Sequence, residues 1–340
     1  MTMKKVRLGR TGLMVTRMGW GGIPIQRISE QEAVAVIRAV VEMGVDLLDT
    51  ARAYTDSERK IGLALQGIDM PVIISSKSQT KTAKIYDDVK KSLEELQARK
   101  VHIYHLHNIT KQEEYEQVMA PGGAYEGLER ARDQGLIDHI AVSSHSLDLL
   151  ERMIEEDRFD VILACYSFLE PDAAKKVFPL ARKKDIGIMT MKALSGGVIE
   201  EAGPALRYVL AEEGIVPIPG SETLERAREN WKIFVEGGSL TESDEERIEA
   251  IRKQFDRVFC RRCDYCQPCT EGISIQFLIG LKSTVKRFGN QVDELKWMQD
   301  MIARARNCSE CGECMSRCPY QLPIPELIKA NLEWFDSLKH

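Results

Sequence analysis

Two sets of residues in this 340-residue chain are of types, and at spacings, that could do chemistry. The first is Asp49, Tyr54, Lys77 and His107. A phenol is a weak acid at neutral pH, and a neighbouring cation makes its proton easier to give up. Tyr54 beside Lys77 would have such a cation, and Asp49 would pair with the lysine and fix it. His107 could donate a hydrogen bond that orients a carbonyl oxygen. Together they suit protonation of the alkoxide formed when a carbonyl is reduced, with no metal needed at that point. The second set is eight cysteines between residues 260 and 318, against one, Cys165, in all the sequence before them. Thiolates gathered in this way in a reducing compartment point to metal rather than to disulfides.

The cysteine runs are Cys260-x2-Cys263-x2-Cys266-x2-Cys269 and Cys308-x2-Cys311-x2-Cys314-x3-Cys318-Pro319. The second has the full bacterial ferredoxin spacing, in which three close thiolates hold three corners of a cubane and the fourth comes from elsewhere. Where two clusters share a chain, the fourth cysteine of each run serves the other cluster. That predicts two 4Fe–4S clusters. One is held by Cys260, Cys263, Cys266 and Cys318, the other by Cys308, Cys311, Cys314 and Cys269. The first run departs from the pattern, with two residues before its last cysteine, Pro268 preceding it and Thr270 following. Zinc is the alternative, since eight thiolates could make two four-cysteine sites, although it explains the x2, x2, x3 triplet followed by proline poorly.

Such groups need elements to position them. Eight short apolar runs, at 15–20, 45–49, 72–76, 102–107, 138–143, 160–165, 186–191 and 215–218, read as strands. Helical-period segments alternate with them. The first helix has Ser29 and Glu32 as a capping box; others begin near 57, 85, 125, 146, 173, 202 and 223. Strict alternation implies parallel strands with right-handed crossovers, and eight units in about 235 residues match a (β/α)8 TIM barrel. A doubly wound open sheet is the alternative, but Gly21-Gly22 is too short for its glycine-rich fingerprint. In a barrel the reactive groups belong at C-terminal strand ends. Asp49, Lys77 and His107 fall there, as do Ser143, Ser144 and His145 after the fifth strand and Lys192 after the seventh. The shift to cysteine marks a boundary near 255, giving a barrel over 1–255 and a small, loop-rich ferredoxin-like domain over 256–340. In the latter, helices are expected at 274–287 and 291–306. Pro325 opens a last helix whose Ile328, Leu332 and Phe335 would suit docking on the barrel.

A net charge of −5 with no long basic run argues against nucleic acid. No stretch approaches the length of a membrane span, and the polar start does not read as a signal peptide, so a cytoplasmic protein is expected.

The segment 48–58 with its Leu-Asp-Thr-Ala-Arg-Ala-Tyr-Thr-Asp-Ser-Glu, then Ile74-Ser75-Ser76-Lys77, then Tyr104-His105-Leu106-His107, resembles the aldo-keto reductase superfamily. It carries the family's Asp, Tyr, Lys and His tetrad in order. His107 matches the family position, and His105 is a neighbour without that role. The stretches 8–12 and 18–22, and 218–221 followed by Glu229-Asn230, match as well. The resemblance implies a barrel that binds NAD(P)H without a Rossmann fold and acts on a small-molecule carbonyl. It puts the cofactor along Gly21, Ser143, Ser144, Met191, Gly220, Ser221, Arg226, Glu229 and Asn230. The nicotinamide end departs from the family: Ser144 stands in place of asparagine, Leu163 in place of glutamine, and Met191 in place of a stacking aromatic. At the adenosine end, Gly220 stands where NADPH-preferring members often carry lysine. Across its whole length the chain resembles a subgroup with a C-terminal two-cluster module. The expected activity is carbonyl reduction by NAD(P)H, coupled to two clusters for electron transfer. One alternative is a reductase fed single electrons by a ferredoxin, another redox partner or a bound flavin. The other is a non-catalytic redox-sensing subunit.

Overall fold

The computed structural model describes residues 4–237, 239–288 and 295–338. The chain forms two compact units that divide in sequence between Ile248 and Glu249. The division falls inside the helix Glu242–Phe255, whose last residue is the boundary expected from the cysteine content.

The first unit opens with an antiparallel pair, β1 (Lys5–Arg7) and β2 (Met14–Thr16). Eight parallel strands follow: β3 (Trp20–Gly21), β4 (Leu47–Asp49), β5 (Ile73–Ser78), β6 (Val101–Leu106), β7 (Ile137–Ser144), β8 (Val161–Cys165), β9 (Gly187–Met191) and β10 (Val216–Pro217). Each pairs with its sequence neighbour. The Gly19 N–H donates to the Pro217 carbonyl at 3.0 Å and the Gly21 N–H to Pro219 at 3.3 Å, so the first and last strands meet and the sheet closes into a barrel. Glycine is required at this seam. A Cβ on Gly21 would lie 2.7 Å from the Ile218 carbonyl oxygen, and one on Gly220 2.5 Å from that of Gly21.

The run 15–20, expected as one barrel strand, is divided. The Asp46 carboxylate accepts from the Thr16 N–H (2.6 Å) and hydroxyl (2.9 Å), fixing β2 below the barrel, and only Trp20–Gly21 joins the sheet. Leu8 and Val15 from this hairpin join Leu47, Ile103, Val161, Leu163, Met189 and Val216 in the barrel interior. The hairpin therefore plugs the N-terminal end. Its strands are too short to show a period in the sequence.

Helices shield the outside of the barrel. Glu30–Glu42 starts with the expected capping box and buries Ala33, Val36, Ile37, Val40 and Val41 against the sheet. The helix expected over 173–184 is two pieces, Ala173–Lys176 and Phe178–Lys183. Pro179 in the first turn of the second has no N–H to continue the ladder. An additional helix, Gln112–Met119, precedes Ala124–Asp133. Among the described residues no helix is long and apolar enough to cross a membrane.

The second unit is helical: Ile275–Ile279, Leu281–Phe288, Lys296–Ala305, Glu313–Ser316 and Ile324–Ser337. The segment expected over 274–287 breaks at Gly280, and residues 291–294 of the next lie outside the described residues. Ile328, Leu332 and Phe335, the apolar face expected on the last helix, pack with Leu278, Leu281 and Met298 into this unit's own core. A unit of this size has too little apolar surface to bury to leave its last helix out.

Candidate active site and cysteine sites

Side chains alternate along a strand, so every second residue faces the barrel interior. Leu47 and Ile103 are interior, which puts Asp49, two residues after Leu47, and His105, two after Ile103, in the layer above, at the C-terminal mouth. Register aligns Asp49 with Ser75 and Lys77 with His105. The Lys77 ammonium donates to Asp49 Oδ2 at 2.6 Å and to the Thr50 carbonyl at 2.7 Å. The Ser75 hydroxyl donates to Asp49 Oδ1 at 2.8 Å. Asp49 is 3% exposed and Lys77 1%. Burial pushes the Asp49 carboxyl above its ordinary range, against the pull of Lys77 and Ser75. Burial works to lower Lys77, but the Asp49 carboxylate outweighs it with help from Tyr54, and the net direction is up. A fixed ammonium inside an apolar barrel is the result.

The loop after β4 brings Tyr54 to this cation. Thr50 N–H donates to Ser75 O (2.8 Å) and Arg52 N–H to Lys77 O (2.9 Å), carrying the parallel ladder past the strand end. Buried Glu58 accepts from the Ser76 hydroxyl at 2.5 Å and pairs with Arg52, clamping the same loop. Half-buried Tyr54 then lies with its ring centroid 5.2 Å from Lys77 Nζ. The His107 ring stands edge-on to it, 5.9 Å away at 83°. All four residues singled out in the sequence are brought together.

Reading the sequence for single residues missed Ser75, gave His105 no role of its own, and passed over Glu58 and Arg52. A period-two count back from Lys77 and His107 would have found the first two. His105 is fully buried, with Nε2 3.0 Å from Ser75 Oγ. Burial, Lys77 and His107 all push its imidazole well below the usual range, so it is neutral.

The residues expected to hold the dinucleotide run from the mouth to the β10 end. Ser143 Oγ accepts from the Asn108 N–H at 2.8 Å and keeps its own proton to donate. Ser144 Oγ is engaged by the Ser146 N–H at 3.0 Å. Half-buried Met191 ends β9 and packs against the interior cluster that contains Leu163. Buried Ser221 accepts from Trp20 Nε1 at 3.0 Å, and Asn230 is buried on the following helix. That helix, Leu224–Glu236, is capped by Thr223 and exposes Arg226 in its first turn, with Glu229 a turn later. A helix N-terminus with an exposed arginine fits a phosphate, and Ser143 fits a carboxamide.

In the second unit, Cys269, Cys308, Cys311 and Cys314 line one shallow cleft. Cys260 has Cys263 and Cys318 as electrostatic neighbours, and Cys266 has Cys260 and Cys263. Burial is the main cause that raises the thiols of Cys260, Cys263 and Cys266, the last to about 12. Cys311 is exposed, with the Thr270 hydroxyl 3.8 Å from its sulfur. Among the described residues no three His, Cys, Asp or Glu side chains are drawn together tightly enough to hold one metal ion.

Residues 12–204 match the model of the aldo/keto reductase family, and residues 259–323 match that of a 4Fe–4S dicluster domain. An L-galactose dehydrogenase of Arabidopsis thaliana is 26% identical over 217 residues, spanning 58% of this chain and 67% of that protein. An aldo-keto reductase structure from Bacillus halodurans superposes with a TM-score of 0.63 at 22% identity, covering 74% of this chain and 96% of the other. One from Klebsiella pneumoniae, solved in complex with NADPH, superposes with a TM-score of 0.61 at 20% identity, covering 74% and 95%.

Proposed function

The chain belongs to the aldo/keto reductase family and carries a C-terminal 4Fe–4S dicluster domain, and on that footing we propose that its barrel reduces an aldehyde or ketone with NAD(P)H. The observation that carries this reading is the buried Asp49–Lys77 pair beneath the Tyr54 ring, with His107 edge-on beside it. NAD(P)H, when bound, supplies a hydride to the carbonyl carbon. Tyr54 gives its hydroxyl proton to the carbonyl oxygen, and a solvent proton replaces it, so the carbonyl gains two electrons and two hydrogens. Lys77 favours the phenolate left behind, Asp49 fixes Lys77, and His107 orients the carbonyl oxygen. At the cofactor, Ser143 would hold the carboxamide with Gly21 and Met191 beside the ring. Arg226, with Ser221, Asn230 and the helix N-terminus, would hold the adenosine phosphates.

Two cubanes would be held by Cys260, Cys263, Cys266 and Cys318, and by Cys269, Cys308, Cys311 and Cys314. The shared cleft of the second four supports this crossed assignment. Bound clusters pass single electrons, so the protein would connect a two-electron substrate with a one-electron partner.

A second reading is a barrel fed through the clusters rather than by nicotinamide. The apolar interior at Leu163 and Met191, where relatives of this family carry polar and aromatic groups, favours it. Anaerobic titration of the loaded protein decides between them. Bleaching of the clusters by NADH or NADPH, together with nicotinamide-dependent reduction of 4-nitrobenzaldehyde that Tyr54→Phe abolishes, is the expected result. Turnover with dithionite-reduced ferredoxin and none with either nicotinamide would instead favour the second reading, and undiminished turnover in Tyr54→Phe would remove Tyr54 from the proposal.

A further inference from the structure

The proton-delivery set has a second arm that enters from the next strand. Ser75, on β5, and His105, on β6, are both fully buried and face the barrel interior beside Asp49 and Lys77. Ser75 has one hydroxyl proton, and it goes to Asp49 Oδ1 at 2.8 Å, since a carboxylate only accepts. With Asp49 ionised, His105 Nε2, 3.0 Å from the same oxygen, is the donor, and its Nδ1 is buried with no hydrogen-bond partner among the described residues. The pattern assigns a directed chain: His105 Nε2–H to Ser75 Oγ, Ser75 O–H to Asp49 Oδ1, and Lys77 Nζ–H to Asp49 Oδ2. Every link lies away from water.

We propose that His105 and Ser75 are positioning residues for the Lys77 ammonium, acting through Asp49, so that a four-residue chain of hydrogen bonds, rather than a lone ion pair, sets the charge beneath Tyr54. This rests on the reading of Tyr54 as proton donor. The physical argument concerns how Asp49 divides its negative charge. With Ser75 donating to Oδ1, part of that charge is already satisfied, and Oδ2 holds Lys77 without drawing its proton away. Without that donor the carboxylate becomes the stronger base, draws the Lys77 proton toward itself and leaves less positive charge over the phenol. Low local dielectric makes such a chain cooperative. Lys77 has a second fixed acceptor in the Thr50 carbonyl, at 2.7 Å, so its direction is set from two sides.

The charged and titratable groups around this chain are Asp49 on β4, Lys77 on β5, His107 beyond the end of β6, Tyr54 on the loop after β4, and Glu58, whose charge reaches Lys77. On β7 the register partner of His105 is Ala141, which carries none. Burial and Lys77 keep His105 uncharged, so it supplies a hydrogen bond and not a second proton.

The test is steady-state reduction of 4-nitrobenzaldehyde by the full chain with its clusters loaded, under anaerobic conditions, with whichever of NADH and NADPH supports turnover, from pH 5.5 to 10. Ser75→Ala should lower kcat about tenfold with KM within about twofold, the size expected for losing a hydrogen bond to a charged group, and His105→Leu, which loses a neutral bond one link further away, should lower it about fivefold with the same KM. The basic limb of the kcat profile should move to higher pH in both, because a phenol with less positive charge beside it ionises later. His105→Gln keeps an N–H donor of similar reach and should restore kcat to within about threefold of wild type with the original limb. Where His105→Leu fails to fold, Ser75→Ala and His105→Gln carry the comparison. Wild-type kcat and limb in Ser75→Ala, or equal losses in His105→Gln and His105→Leu, would overturn the proposal. A change confined to KM would do the same. Tyr54→Phe is run alongside: if it retains wild-type turnover the underlying reading fails, whereas an inactive Tyr54→Phe with unaltered Ser75→Ala refutes the chain alone.

Discussion

Replacing Lys77 by methionine probes the pair on which the proposed chemistry depends. The change keeps the length of the side chain and removes the charge. In the native barrel Asp49 and Lys77 are 3% and 1% exposed, with Asp49 Oδ2 and Nζ 2.6 Å apart. Without Lys77 the Asp49 carboxylate keeps only the Ser75 hydroxyl, and the Thr50 carbonyl loses its donor. Breaking one partner of a buried pair costs about 3–5 kcal/mol, since it leaves an uncompensated charge. For a unit of this size that corresponds to a fall in Tm of roughly 6–20 °C. The deficit should depend on pH with a definite sign. Burial already raises the Asp49 carboxyl, and without Lys77 its folded-state value rises further above the unfolded one near 3.9. A carboxyl raised in this way favours the folded state at low pH and loses that contribution as pH climbs toward the folded value. The variant should therefore approach wild type near pH 5 and show its full deficit at pH 8. Adding Asp49→Leu should restore most of the stability while leaving carbonyl reduction absent. Near-UV circular dichroism of the loaded full chain, followed through thermal and urea unfolding at both pH values, measures this. A deficit below about 1 kcal/mol at pH 8 would refute the reasoning, as would equal deficits at the two pH values or no recovery in the double variant.

Three other outcomes are expected. Asp244 takes two hydrogen bonds from Arg207 at 2.7 and 2.6 Å and two from Thr241, and the Arg207 bond leads in holding its carboxyl far below the usual range. That contribution is present above the unfolded value near 3.9 and is lost as pH falls. Asp244→Asn should thus cost about 1.5–3 kcal/mol at pH 7 by urea denaturation and converge on wild type in acid. Gly220→Ala brings a Cβ to 2.5 Å from the Gly21 carbonyl oxygen and 2.6 Å from Pro24. Chemical denaturation should show a loss of about 1–3 kcal/mol and earlier hydrogen exchange at the β3–β10 seam. For the clusters, Cys269→Ala should abolish the same electron paramagnetic resonance signal as Cys311→Ala, and Cys318→Ala the same signal as Cys263→Ala. The opposite grouping would show that each run holds its own cluster.

Much of the fold was legible because it is written in local patterns. Eight apolar runs alternating with amphipathic segments specify a parallel barrel, and the capping box at Ser29 and Glu32 marked the first helix to the residue. The expected boundaries slipped where non-local contacts decided them. The 15–20 run was divided by a hydrogen bond from Thr16 to Asp46, thirty residues away. The helix over 173–184 broke at a proline that its apolar spacing alone did not weigh. Neither hairpin strand exceeds three residues, which is too short for periodicity to register.

The same division holds at the site. The sequence by itself determined which groups are available: a carboxylate, phenol, ammonium and imidazole at strand ends, and eight thiols at cubane spacing. Residue type and spacing along the chain are local quantities, and chemistry can be inferred from them directly. Only the tertiary structure decided how those groups face one another. Strand register put Ser75 opposite Asp49 and His105 opposite Lys77, converting two residues of no evident role into neighbours of the ion pair. Folding also drew Cys269 to the cleft lined by Cys308, Cys311 and Cys314, about forty residues downstream. A one-residue slip in register would point every one of these barrel side chains at the helices instead. Register is set by the packing of the entire barrel, and no short stretch of sequence contains it.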